Sequence, residues 1–299
     1  MSIVVHIKRA IVNKPSSTRA IPVRRLDVDL ATAELPRWTV EDDPILSEFT
    51  STLSAVFPRG EEFFAATVRR HRDAAADDPV LKAQVKAFIG QEAMHGREHR
   101  ALNASLDSLG YHTARADREI GRLLDALMKL QPSTLPLAIT AGAEHLTGII
   151  AEAALEDPET REVLFAHPAI DSLICWHALE ELEHKNVAFD VLERTGAGYG
   201  VRIAGLGLAV GVLGGYVLLA CVREVVADRR HIGRRQLRRF RRDLRRQQLL
   251  SLRSAGKVVR YLKPGFHPDD MDTDALVLEW KERLADRTTI TAGMASSHR

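Results

Sequence analysis

The spacing Glu-x-x-His occurs twice in this 299-residue chain, at Glu92/His95 in "QEAMHGREH" and at Glu181/His184 in "LEELEH". Each pair sits inside an apolar helical pattern. Val85, Phe88, Leu102 and Leu106 share the heptad line of the first, and Ile174 and Ala188 that of the second, so both pairs face a core. Buried carboxylates and imidazoles need partners. Two further glutamates have the same placement: Glu61 shares a face with Phe57, Phe64 and Val68, and Glu144 with Leu137, Ala141 and Gly148. The fold must bring these four segments together, and a helical bundle is the simplest way to do so.

Helical periodicity starts near Pro44, pauses at "FPRG" and resumes at Glu61; it continues over roughly 79–109, 134–156 and 168–194. Pro79, Pro136 and Pro168 lie near helix starts, and Gly110 and Gly196 mark stops. Between the second and third helices runs "YHTARADREIGRLLDALMKLQPS", a connection with a helix of its own. No segment alternates convincingly as a strand. One Glu from each of two helices plus Glu-x-x-His from each of two others is the ferritin-like dinuclear carboxylate pattern. The sequence therefore predicts an all-α protein, a ferritin-like four-helix bundle with a crossover helix and extra C-terminal helices. Residues 1–43 form an N-terminal arm and 44–198 the di-metal bundle. Residues 199–286 hold an apolar Gly-rich helix or hairpin, an Arg-rich helix and a closing helix, and 287–299 a frayed tail.

The expected metal ligands are Glu61, Glu92, His95, Glu144, Glu181 and His184, a donor set suited to two transition-metal ions, iron or manganese before zinc. Glu62, on the face of Arg69, and Glu180, off the Glu181/His184 line, read as solvated or supporting neighbours. His99 follows His95 by one turn and His177 precedes Glu181 by one turn. On antiparallel helices both point to the same end of the bundle, about 6 Å along the axis from the metals, as candidate catalytic groups. His145, beside Glu144, remains open between ligand and packing residue.

Residues 203–222, "IAGLGLAVGVLGGYVLLACV", carry no charge, and Gly207, Gly211 and Gly215 form a ridge of small residues. Residues 223–246 then hold eleven arginines against Glu224, Asp228 and Asp243, in a chain whose net charge is only +2. A single spanning helix would require export of a folded metal domain, and a hairpin broken at Gly214–Gly215 has arms too short to cross. That leaves two readings: a segment dipping into an anionic membrane surface, or a helix buried on the bundle or in a homodimer seam. Nucleic acid is disfavoured, since aromatic residues beyond Phe240 are not interleaved with the arginines. Cys175 and Cys221 are too few and too distant for a disulfide framework. The apolar run in "MSIVVHIKRAIVNK" is too short for a secretory signal. The expected location is cytoplasmic, with a peripheral seat on the inner face of the membrane under the first reading.

"FPRGEEFF", "FIGQEAMHGREH", "AGAEHL", "WHALEELEHK" and "PGFHP", in that order, resemble the motifs of the bacterial family of predicted metal-dependent hydrolases, from about Val23 to Trp280. The resemblance implies a ferritin-like bundle and favours Glu61 over Glu62, because the family's carboxylate directly follows the glycine. His267 of "GFHP" belongs to the pattern, but the sequence gives no reason to place it at the metal. The ligand set points to O2-dependent oxidation of a small organic substrate at a di-iron centre; the family label points to hydrolysis by a metal-activated water. A non-enzymatic metal-binding bundle is the third reading. Neither Gly-x-Ser-x-Gly nor a Ser-His-Asp pattern supports a metal-free hydrolase.

Overall fold

Residue pairs ending in proline start three of the long helices. In the computed structural model, which describes residues 20–41, 43–249 and 251–291, the Asp43 carboxylate accepts from the backbone N–H groups of Ile45 and Leu46 to open α1 (Pro44–Arg70). Asp78 does the same for α2 (Pro79–Ser108), and the His167 ring for α6 (Pro168–His184). Proline at the first helical position forgoes an N–H that would have no helical acceptor, and the preceding side chain satisfies the next ones. Between them lie the crossover helix α3 (Thr113–Leu127), then α4 (Thr134–Glu156) and the short α5 (Pro158–Leu164). The chain continues through α7 (Val187–Arg194), α8 (Tyr199–Leu208), α9 (Gly215–Ala227), α10 (Arg234–Arg246), α11 (Leu252–Arg260) and α12 (Asp274–Arg283). Among the described residues the protein is all-α apart from one small sheet. The first part of the arm, including the segment read against a secretory signal, and the end of the tail lie outside the described residues.

Helices α1, α2, α4 and α6 surround the ligand candidates. Two apolar cores flank them, one around Leu173 and Trp176 and one around Phe88 and Leu137. Trp176 packs edge-on to His95 and Phe88 edge-on to His184, so the polar centre is walled by aromatic rings.

The boundaries differ from the sequence reading in four places. First, α1 does not pause at "FPRG" but runs through Pro58. Proline there supplies no N–H to the Ser54 carbonyl one turn back, and the Asn103 side-chain amide donates to that carbonyl instead, at 3.1 Å. Second, the fourth bundle helix ends at His184. Lys185 turns aside to bond the Met271 carbonyl and Thr273, and Asn186 donates to Asp190 before α7 begins. Third, two strands exist: β1 (Arg24–Leu26) and β2 (Thr288–Ile290), the latter in the expected frayed tail, pair antiparallel with Arg24 opposite Ile290. Three-residue strands carry too little alternation to be legible.

Fourth, no hairpin forms at Gly214–Gly215. A π-helical segment, Ala209–Gly214, joins α8 to α9 in one continuous helix. The glycines that matter for packing are not the expected ridge. A Cβ on Gly205 would lie 2.3 Å from the Ala138 carbonyl group, and one on Gly142 would lie 2.7 Å from the Leu206 Cα. Helices α4 and α8 approach through these two positions, whereas Gly207, Gly211 and Gly215 have open space beside them.

Candidate metal centre

Glu61 from α1, Glu92 and His95 from α2, Glu144 from α4 and Glu181 and His184 from α6 all converge, each buried. Glu61, His95, His177 and Glu181 form one group and Glu92, Glu144 and His184 another, with donor atoms in each group within 4.8 Å of one another. His177 therefore stands inside a group, not a turn away from it. Helical Cα–Cβ bonds tilt toward the N-terminus, so Glu181 leans back over the turn that carries His177. Glu181 Oε1 lies 3.0 Å from His177 Nε2, 3.5 Å from His184 Nε2 and 3.8 Å from His95 Nδ1, which places it between the groups.

The three imidazoles are each held from behind, and the partners fix which nitrogen carries hydrogen. The Gln91 amide donates to the Pro22 carbonyl and Glu183, so its oxygen must accept from His184 Nδ1–H at 2.9 Å. Glu180 accepts from His95 Nε2–H at 3.1 Å. Asn103 donates to the Ser54 carbonyl, so its oxygen accepts from the Ser54 hydroxyl at 2.7 Å. Ser54 must then accept from His99 Nδ1–H, and His99 Nε2 from His177 Nδ1–H, both at 2.9 Å. The remaining ring nitrogens all face carboxylates: His184 Nε2 lies 3.3 Å from Glu92 and 3.2 Å from Glu144, and His177 Nε2 bonds Glu181 at 3.0 Å. Lone pairs and carboxylates turned together in a buried space repel unless a cation lies between them.

The hydrogen-bond balance agrees. Both oxygens of Glu61, Glu92 and Glu144, one of Glu181, His95 Nδ1 and His184 Nε2 are buried without a hydrogen-bond partner. Burial, with Glu181 and Glu144 alongside, pushes the Glu61 carboxyl well above its ordinary value. Burial and Glu181 push Glu144 up to about 7. Against their burial, His184 is held well above its ordinary value by Glu144 and Glu181, and Glu181 well below by His184 and His177. Burial, with His177 beside them, keeps His95 and His99 well below the usual imidazole range. The donor set fits hard or borderline divalent cations.

Other candidates fall elsewhere. Glu62 is half-exposed and pairs with Arg59 and Arg100. Glu180 is fully buried between His95 and Arg24, a supporting position rather than a solvated one. His145 donates toward the Lys257 carbonyl, and His267 bonds Asp190 at 2.8 Å beside Phe189. Arg24, Gln91, Glu183, Ser54 and Asn103 escaped sequence reasoning. Asn103 had a signal: a proline inside a helix frees a carbonyl that needs a donor. Arg24 had none, because its partners Glu180 and Glu183 are brought to it only by the tertiary fold.

A helical protein with buried clusters of carboxylates and imidazoles, every ring nitrogen oriented from behind, is a metal-binding protein. The chain belongs to the family described as predicted metal-dependent hydrolase, whose model matches residues 22–272. It is thus a metal-dependent enzyme by family. No curated protein and no solved structure matches it.

Proposed function

We propose that the chain is a hydrolase working at two metal ions, one held by Glu61, His95, His177 and Glu181 and the other by Glu92, Glu144 and His184. The observation that carries this reading is the pair of partnerless imidazole nitrogens, on His95 and His184, buried among four carboxylates, with His177 bonded to one of them. Ions held there would polarise a substrate carbonyl and acidify a water molecule. The protein orients the ligands through Gln91, Glu180 and the His99–Ser54–Asn103 line, and its aromatic walls exclude bulk water. Ser54 is not a nucleophile. Its hydroxyl donates to Asn103 and accepts from His99, the reverse of what a general base requires.

One observation favours a second reading, O2-dependent oxidation at two irons: the donor set is rich in carboxylates, with one glutamate from each of α1 and α4 and a Glu-x-x-His pair from each of α2 and α6. Metal analysis followed by turnover of ester probes separates the two. About two ions per chain and ester hydrolysis by a zinc-loaded form, equal in air and under nitrogen, support hydrolysis. Turnover that needs iron, a reductant and oxygen overturns it in favour of oxidation.

We also infer that the enzyme rests on an anionic membrane surface. The helix from Tyr199 to Ala227 is apolar and long enough to cross a bilayer, yet it lies along the bundle. Tyr216 bonds the Ala116 carbonyl and Arg223 pairs with Glu119, so a spanning path would drag the charged side of α3 into hydrocarbon. Its outer face exposes Val210, Leu218, Leu219, Val222 and Val226, and α10 follows with exposed arginines. An apolar face beside a basic helix suits the interface of an anionic leaflet. Arg234, Arg238, Arg241 and Arg245 form one stripe of α10. Changing all four to Gln should weaken sedimentation with phosphatidylglycerol vesicles by roughly three orders of magnitude at low salt and leave metal content unchanged. Wild-type protein that ignores such vesicles at low salt overturns the inference.

A further inference from the structure

Two apolar cavities lie beside α1 and α4, one against the candidate metal centre and the other under the outer helix. One, of about 40 Å³, has His177 and Glu181 in its wall beside Phe57, Ile150 and Ile174. The other, of about 140 Å³, lies under the π-helical segment, walled by Gly60, Leu146, Ala209, Leu213 and Val217. Leu53, Phe57 and Thr147 line both, so the two voids meet at these side chains. The lining of the larger void carries no charge, and its one hydroxyl, on Thr147, is spent on the Glu144 carbonyl of its own helix. An apolar void of roughly 150 Å³ stays dry and takes up hydrocarbon.

We propose that the substrate carries a hydrocarbon chain, with its reacting head at His177 and Glu181 and its tail passing Leu53 and Phe57 into the void beneath residues 209–217. The inference rests on the hydrolase reading for its chemistry: the substrate class is a long-chain acyl ester. Water oxygen bonds to the acyl carbon, the carbon–oxygen bond to the alcohol breaks, and one water proton leaves on the alcohol while the acid retains the other until it ionises. The far wall of the void is the back of the helix whose outer face exposes Val210 and Leu218, so the tail end of the site adjoins the apolar surface of the enzyme.

Gly60 provides the test. A Cβ there meets nothing within 4 Å and Gly60 lines the void, so Gly60→Leu starts a side chain into it without a clash at the backbone, and leucine suits a helix interior better than glycine. Binding of dansyl-undecanoic acid to the metal-loaded protein is read by fluorescence, alongside metal content and melting temperature. The wild type should bind the probe, and Gly60→Leu should bind it about tenfold more weakly for every two methylenes denied burial, with metal content unchanged. Leu213→Trp, from the opposite wall, should act likewise. In parallel, the wild type should prefer p-nitrophenyl dodecanoate to the acetate, and the ratio of the two rates should fall in Gly60→Leu. A wild type that does not bind the probe, or variants that bind it equally well, overturns the proposal. Probe binding that the variants weaken, without hydrolysis of either ester, upholds the chain site and overturns the hydrolytic reading instead.

Discussion

Asn103→Ala tests whether Pro58 and the imidazole line are one device. The asparagine is buried, its amide nitrogen donates to the Ser54 carbonyl at 3.1 Å, and its oxygen accepts from the Ser54 hydroxyl at 2.7 Å. Alanine removes both bonds and leaves a buried carbonyl that α1 cannot satisfy, because residue 58 has no N–H. An orphaned buried acceptor costs about 1–3 kcal/mol, and the lost hydroxyl bond adds about 1 kcal/mol. The expected destabilisation is therefore roughly 2–4 kcal/mol. Pro58→Ala restores an N–H aimed at the same carbonyl, so in that background Asn103→Ala should cost less by about 1 kcal/mol or more. Equilibrium urea unfolding of the four proteins of this cycle, after chelator treatment, measures the coupling. Nitrogen-15 spectra of labelled histidines read the second consequence: His99 and His177 should lose their fixed tautomers in Asn103→Ala. Additive effects in the cycle, within about 0.5 kcal/mol, would refute the argument that Asn103 stands in for the missing helical donor.

In metal-free protein the raised Glu144 and Glu61 carboxyls work against stability as pH rises, while the lowered His95 and His99 work the other way. Burial raises the folded Glu144 carboxyl from 4.5 to about 7, so its favourable contribution is complete below the unfolded value and is lost as pH rises through the folded one, by about 3 kcal/mol. Glu61 shifts in the same direction, and between those pH values the melting temperature of chelated wild type should fall relative to that of chelated Glu144→Gln. Glu181→Ala should lose metal, whereas Glu62→Ala, whose side chain is half-exposed, should keep it; elemental analysis of both variants decides whether the assignment is off by one residue. Gly205→Ala would place a methyl 2.3 Å from the Ala138 carbonyl and should cost at least about 1–3 kcal/mol by thermal unfolding. Gly207→Ala, open on its outer side, should be neutral or stabilising by up to about 1 kcal/mol.

The helical class and the convergence of the six expected ligand positions were legible because heptad periodicity assigns faces. A polar residue on an apolar line has to meet others like it. Periodicity does not report depth along a side chain, so His177 read as a neighbour one turn off. The backward lean of Glu181 closes that gap. Gln91 was hidden by sitting one residue before a ligand, where the helix pattern assigns it to a different face. Of the helix and the hairpin that the sequence left open over residues 199–227, the helix forms, because paired glycines weaken a helix only when nothing seats it. Here Tyr216 and Arg223, bonded to α3, hold the segment just beyond the pair.

Glu183 braces Gln91, and two cations neutralise it: Arg24, at 2.7 Å and 2.9 Å, and Lys281, at 2.9 Å. One comes from the strand before the bundle and the other from α12, long after the last ligand. A ribosome thus delivers every ligand helix before it delivers the second cation, and β2, which pins Arg24 in place, emerges later still. A nascent chain that ends after α6 already displays all seven donors, but the amide that orients His184 leans on a carboxylate with half its counter-charge. The full brace, both cations and the strand that holds Arg24, exists only once the chain has been translated to residue 290.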